Sequence, residues 1–206
     1  MADSTPIRGV IVDFGGVLTT SVGSSFRAFC ENEGIEPDAI TSHLRGDPQT
    51  IELLVGLETG KLPPEEFEAS MAAILGVKAD DLIKRLFKEL KRNEAMLAAI
   101  DIARRSGVRT ALLSNAWSIE HYNRELLGEL FDVVVISSEV GLRKPERAIY
   151  ALTLERIGLP AERCVYIDDL SFNLEPATEL GVATIHHTDT GETIAELERM
   201  LELQLR

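Results

Sequence analysis

Five positions in this sequence carry side chains able to do chemistry together. Asp13, the pair Ser114 and Asn115, the pair Ser137 and Ser138, and the pair Asp168 and Asp169 each follow directly on a short apolar run. Lys144 stands just before Pro145 in the run GLRKPE. Asp, Asn and Ser also cap helices and shape turns, and for Ser137 and Ser138 that is the simpler reading. For Asp13, Asp168 and Asp169 it is not, because three carboxylates pressed together at the end of buried strands repel one another unless a cation holds them. Oxygen ligands with no Cys or His beside them suit a hard ion that keeps some of its waters, which points to Mg²⁺. Pro145 suits the first turn of a following helix and would fix Lys144 as a second cation. A carboxylate, a divalent ion, a lysine and a hydroxyl beside an amide can hold a phosphoryl group and neutralise its charge during in-line transfer. The carboxylate can itself be the nucleophile.

The elements that must position these groups are legible as period. Five β-rich runs occupy 7–13, 109–114, 132–137, 163–168 and 182–187, each the length of a buried strand. Between the last four, apolar residues recur at helical spacing over 119–127, 148–157 and 174–180, and a closing helix is expected over 193–203. Such alternation implies an α/β fold, a doubly wound Rossmann-like parallel sheet of five main strands. From 20 to 92 the alternation stops. This stretch holds helical patterns only, among them 49–57, 65–75 and 81–90, and reads as a helical subdomain inserted after the first strand. The expected division is a core of 1–19 and 93–206 with an insert of 20–92 over the carboxyl edge of the sheet, where such sheets bind ligands.

Composition narrows the partners. Lys and Arg number 21 against 34 Asp and Glu, a formal charge of −13, which argues against nucleic acid and anionic membranes. No apolar run approaches the roughly 18 to 20 residues of a bilayer crossing, and the start lacks a secretory pattern. With two cysteines, Cys30 and Cys164, there is no disulfide framework, so a cytoplasmic address is expected.

The motifs VDFGGVLT, LLSNA, GLRKPE and YIDDLSFN, in that order and context, resemble those of the haloacid dehalogenase superfamily over essentially the whole chain. SNAW, VGLRKPERAIY and DDLSFNLEPATELGVATI are most similar to the branch containing the amino-terminal phosphatase domain of soluble epoxide hydrolase. The resemblance implies a Mg²⁺-dependent phosphatase acting on a small phosphorylated molecule through a phospho-aspartate. It makes Asp13 the nucleophile and a metal ligand, Ser114 the phosphate-binding hydroxyl with Asn115 beside it, and Lys144 the lysine that orients the nucleophile. Gly16 falls among the phosphate-binding positions, Asp169 is the main acidic ligand and Asp168 its auxiliary. Asn173 supports them from behind. The insert corresponds to a helical cap, and its segment LETGKLPPEEFE is read as structural.

One position departs from the pattern. The second Asp that usually follows the nucleophile by two residues, and serves as acid and base, is Gly15 here, leaving only a backbone carbonyl for the metal. Two alternatives therefore stand beside the phosphatase: a 2-haloacid dehalogenase, whose halide leaves without a proton, and a degenerate relative that binds a phosphorylated ligand or a protein without turnover. The Asp168–Asp169 pair speaks against the former, and retention of Asp13 and Lys144 against the latter. Trp117 either lines the pocket or packs under its loop. His43, His121, His186 and His187 lack metal spacing and read as surface or packing residues, and both cysteines as buried hydrophobes. Arg27, His43, Arg45 and Lys61 are candidates to touch a leaving group. The closing helix either docks on the sheet or pairs subunits, giving a monomer or a homodimer.

Overall fold

The computed structural model describes residues 6–117 and 122–206. Its sheet contains β1 (Gly9–Val12), β2 (Arg109–Ser114), β3 (Val133–Ile136), β4 (Cys164–Asp168) and β5 (Ala183–His186), all parallel in the order β3-β2-β1-β4-β5. Strand order reverses between β1 and β4, the crevice where open α/β sheets hold ligands.

The strands are apolar on both faces because both faces are covered. Val10, Val12, Leu112, Val165 and Ile167 face one cluster with α6 (Glu94–Arg105), α7 (Arg124–Leu130) and α11 (Thr190–Leu201). The alternate residues Ile11, Ala111, Leu113 and Tyr166 face the other, with α9 (Arg147–Ile157) and α10 (Ser171–Glu179).

Between β1 and α6 the chain forms α1 (Val22–Glu33), α2 (Ala39–Gly46), α3 (Pro48–Glu58), α4 (Pro64–Leu75) and α5 (Leu82–Leu86). Their apolar residues, including Phe26, Ile40, Phe67, Met71 and Leu86, make a third cluster of their own. The two ends of this insert lie side by side. Thr19 bridges Arg92 antiparallel, and the Thr20 and Asn93 amides donate to Lys91 and Leu18 carbonyls at 2.8 and 2.9 Å. Among the described residues no helix is long and apolar enough to cross a membrane.

Several expected boundaries move. The helix expected over 81–90 stops at Leu86, and the turn beyond it brings Phe87 against Phe26 and Trp117. The closing helix starts at Thr190 because Asp189 caps the Glu192 amide at 2.9 Å. Its Ile194, Leu197 and Leu201 are buried on the sheet, so the docking alternative holds. The reading of a helix from 119 and of His121 falls partly outside the described residues; α7 begins at Arg124, capped by Asn123. Ser137 and Ser138 open a one-turn helix, α8 (Ser137–Val140), rather than ending the third strand.

Candidate active site

The strand ends bring the expected residues to one rim. Asp13 follows β1, and its amide donates to the Ile167 carbonyl of β4 at 2.9 Å. Its Oδ1 accepts from the Phe14 amide at 2.7 Å and from Lys144 Nζ at 2.8 Å. Lys144 also reaches Asp168 Oδ2 at 2.7 Å and is 2% exposed, so it is no solvated surface lysine. Carboxylate oxygens of Asp13, Asp168 and Asp169 all lie within 4.8 Å of one another.

Lys144 is not placed by a helical Pro145. That proline sits in a turn, and α9 begins only at Arg147, correcting the expectation. What fixes the lysine is Asn115, whose Oδ1 accepts from the Lys144 amide at 2.8 Å and whose Nδ2 donates to its carbonyl at 3.0 Å.

Asp168 is fully buried, and both its oxygens are engaged. Oδ1 accepts from the Leu170 amide at 2.9 Å and Asn173 Nδ2 at 3.0 Å; Oδ2 accepts from Lys144 and from the Tyr166 hydroxyl. Asp169 is half-buried and lies against Gly16, where an added Cβ would come within 2.2 Å of its Oδ2. With φ at +79°, Gly16 is bound to be glycine on both counts. Gly15 is constrained differently: a Cβ there would meet Val22 Cγ2 at 2.9 Å. Ser114 is buried, its Oγ 2.9 Å from the Tyr122 hydroxyl.

The electrostatics follow from burying like charges. Burial pushes the Asp13 carboxyl up to about 7, opposed by Lys144 and reinforced by Asp168. Burial and Asp168 raise Asp169 to about 6. Asp168 itself is held below the usual range although its burial works the other way, because Lys144 is beside it. One lysine thus leaves Asp13 and Asp169 short of positive charge. An all-oxygen set in that condition fits a hard divalent ion. Beside Asp169 and Gly16 lies a cavity of about 660 Å³, also bordered by Thr19, Ser21, Arg92 and His187.

The remaining residues sort plainly. Trp117 packs against Phe26, Phe67 and Phe87 of the insert at 5.2–5.4 Å, so it anchors the insert. His187 is buried on Thr193, and exposed His186 Nε2 lies 3.0 Å from the Asp169 carbonyl. Cys30 and Cys164 are free and buried. Arg27 and Arg45 border a separate pocket of about 420 Å³ on the insert.

Three further residues at the site have no role assigned from the motifs, although Tyr166 opens YIDDLSFN and Glu58 lies in LETGKLPPEEFE. Tyr166 lies two residues before Asp168 on the same strand face, so the period of 2 is a signal that points to it. Tyr122 carries no comparable signal. Glu58, from the segment read as structural, takes Arg143 Nε at 2.6 Å and Asn115 Nδ2 at 3.1 Å.

Residues 7–181 match the family described as haloacid dehalogenase-like hydrolase. The chain is 31% identical over 119 residues to Bifunctional epoxide hydrolase 2 of Rattus norvegicus, covering 54% of this chain and 22% of that protein. It spans less than a quarter of the length of the epoxide hydrolases it matches. Sesquiterpene phosphatase astK of Aspergillus oryzae is 25% identical over 204 residues, covering 96% of this chain and 98% of that one. In fold, it is similar to a HAD family enzyme of Bacteroides thetaiotaomicron solved as a magnesium complex, with TM-score 0.69, 21% identity, and coverage of 95% of this chain and 100% of that one. The chain belongs to the haloacid dehalogenase-like hydrolases and has their α/β fold.

Proposed function

We propose that this hydrolase is a Mg²⁺-dependent phosphatase that cleaves a small phosphorylated molecule through a phospho-aspartate at Asp13. The observation that carries the reading is Lys144 Nζ, at 2.8 Å from Asp13 and 2.7 Å from Asp168 within the three-carboxylate cluster. Relatives named as phosphatases support it.

In this reading Asp13 attacks phosphorus and the bond to the leaving oxygen breaks; water then attacks the acyl phosphate and frees the carboxylate. Lys144 holds the attacking oxygen and offsets charge, while Ser114, Asn115 and the Gly16 backbone bind the phosphoryl oxygens. Asp13, Asp169 and the Gly15 carbonyl would hold Mg²⁺, with Asp168 contributing through the lysine it anchors. The ion supplies positive charge to the phosphoryl oxygens as they gain charge. Residues 20–92 act as a cap over a core of 1–19 and 93–206.

Mg²⁺ binding should depend on pH with a definite sign. Asp13 and Asp169 are raised in the folded chain, so cation-free stability falls as pH climbs from the ordinary carboxylate range through 6 and 7. The depressed Asp168 acts the opposite way, losing its contribution only at lower pH. A divalent ion favours the ionised carboxylates, so its stabilising effect grows over the same window. The rise in melting temperature on adding Mg²⁺ is therefore larger at about pH 8 than at about pH 5.5. An equal rise at both would remove Asp13 and Asp169 as ligands.

Gly15 sets the leaving group. A general acid is worth about 10²- to 10⁴-fold, so without one at this position aryl, acyl and sugar-1-phosphates are turned over faster than alkyl phosphates. Gly15→Asp with Val22→Ala, which makes room for the new side chain, narrows that gap. Equal kcat/KM for 4-nitrophenyl phosphate and an alkyl phosphate in the wild type, with chemistry rate-limiting, would contradict it. The reading as a whole is tested by hydrolysis of 4-nitrophenyl phosphate with and without Mg²⁺; turnover that ignores the ion overturns it.

A further inference from the structure

Glu58 ends α3 of the insert, yet its carboxylate is spent on the loops beyond the sheet. It is 5% exposed. Its partners are Arg143 Nε at 2.6 Å, Asn115 Nδ2 at 3.1 Å and the Trp117 side chain. A buried ion pair is a poor source of stability, because desolvation cancels most of the attraction. What such a pair does well is fix one arrangement.

The arrangement it fixes is local to Lys144. One Asn115 Nδ2 hydrogen faces Glu58 and the other the Lys144 carbonyl at 3.0 Å, which leaves Asn115 Oδ1 to accept from the Lys144 amide at 2.8 Å. A carboxylate accepts only, so it forbids the reversed amide, which would aim oxygen at oxygen. Lys144 Nζ then meets Asp13 and Asp168. Two residues past Glu58, Gly60 supplies a second tie. At φ +70° its backbone packs so closely on the start of α8 that a Cβ would come within 2.5 Å of the Ser138 carbonyl oxygen.

We propose that Glu58 is a positioning residue: through Asn115 it seats Lys144 on the nucleophile, so that the lysine is fully placed only when the Glu58–Gly60 corner of the insert is docked. The assignment of a rate effect rests on the phosphatase reading above. The placement itself does not.

The test compares Glu58→Gln and Glu58→Ala with wild type by two readouts: kcat and KM for 4-nitrophenyl phosphate, and hydrogen exchange at the Lys144 amide. Glu58→Ala lowers kcat by about 10- to 100-fold with KM within about threefold, and speeds Lys144 amide exchange by at least about tenfold. Glu58→Gln, which keeps an acceptor and the side-chain volume, falls between and carries the test if the alanine variant does not fold. Glu68→Gln serves as control. Its carboxylate accepts from the Ile83 amide at 2.8 Å wholly within the insert, and both readouts stay within about twofold of wild type because it touches neither Asn115 nor Lys144. Unchanged Lys144 exchange in the Glu58 variants overturns the proposal whatever happens to turnover, as does an equal effect from Glu68→Gln. If the wild type turns over no phosphate ester, the phosphatase reading fails, and the Lys144 amide alone decides the positioning role.

Discussion

Asp13→Asn lowers turnover of 4-nitrophenyl phosphate by at least about 10⁴-fold, because in the proposed reaction it removes the group that bonds to phosphorus in the first step. The variant keeps its fold. Asn has the same shape and can still accept from the Phe14 amide, which lies 2.7 Å from Asp13 Oδ1, and Lys144 retains Asp168 at 2.7 Å. Burial already pushes the Asp13 carboxyl up to about 7 without a cation, so a neutral side chain costs the cation-free protein little. Its melting temperature should equal or exceed that of the wild type at neutral pH. Residual turnover above a hundredth of wild type, in protein free of contamination and deamidation, would move the nucleophile elsewhere.

Lys144→Met damages both stability and rate. The lysine is the cation shared by Asp13 and Asp168 in a site nearly closed to water. Methionine keeps the unbranched stem, one atom shorter, but leaves two carboxylates facing each other. Breaking a buried pair from one side costs about 3–5 kcal/mol, which at this chain length lowers the melting temperature by roughly 6–20 °C. The loss deepens with pH. Asp168 is held low chiefly by the lysine, so without it both carboxylates take up protons in the folded state, and stability falls as pH rises through the range where they would ionise. Turnover drops by about 10³-fold, since a donor aimed at developing charge in such a site is worth that much. A variant melting within about 2 °C of wild type at neutral pH would show that the lysine is not the clamp its distances describe.

Much of the fold and of the site is legible in the sequence, for a physical reason. Both faces of a parallel sheet are buried, so each strand is a short apolar run, and Asp13, Ser114, Asp168 and Asp169 stand out as the polar residues ending such runs. Alternate residues on one strand share a face, which is why Asp168 also points to Tyr166. Glu58 is legible only as part of LETGKLPPEEFE, a segment read as structural, and not as a residue of the site. Its role depends on a helix of the insert meeting loops more than fifty residues away, and in sequence it is one acidic residue among 34 Asp and Glu. Lys144 shows the same limit from the other side: its importance is visible, but the group that places it, the Asn115 amide, belongs to a different strand end. Adjacency along the chain assigns that task to Pro145, because adjacency is the geometry a sequence carries most directly. Gly15 is visible as a missing acid, whereas the Val22 side chain that crowds the position is not.

The central claim is covalent chemistry at Asp13, and it is tested most directly by acid-quenching the Mg²⁺-loaded enzyme early in a reaction with 4-nitrophenyl phosphate and measuring intact and peptide masses. The expected result is the added mass of one phosphoryl group, sensitive to base, on the peptide that contains Asp13 and absent from Asp13→Asn. A burst of nitrophenol with no phosphoryl group on that peptide, or with the group on another residue, would contradict it.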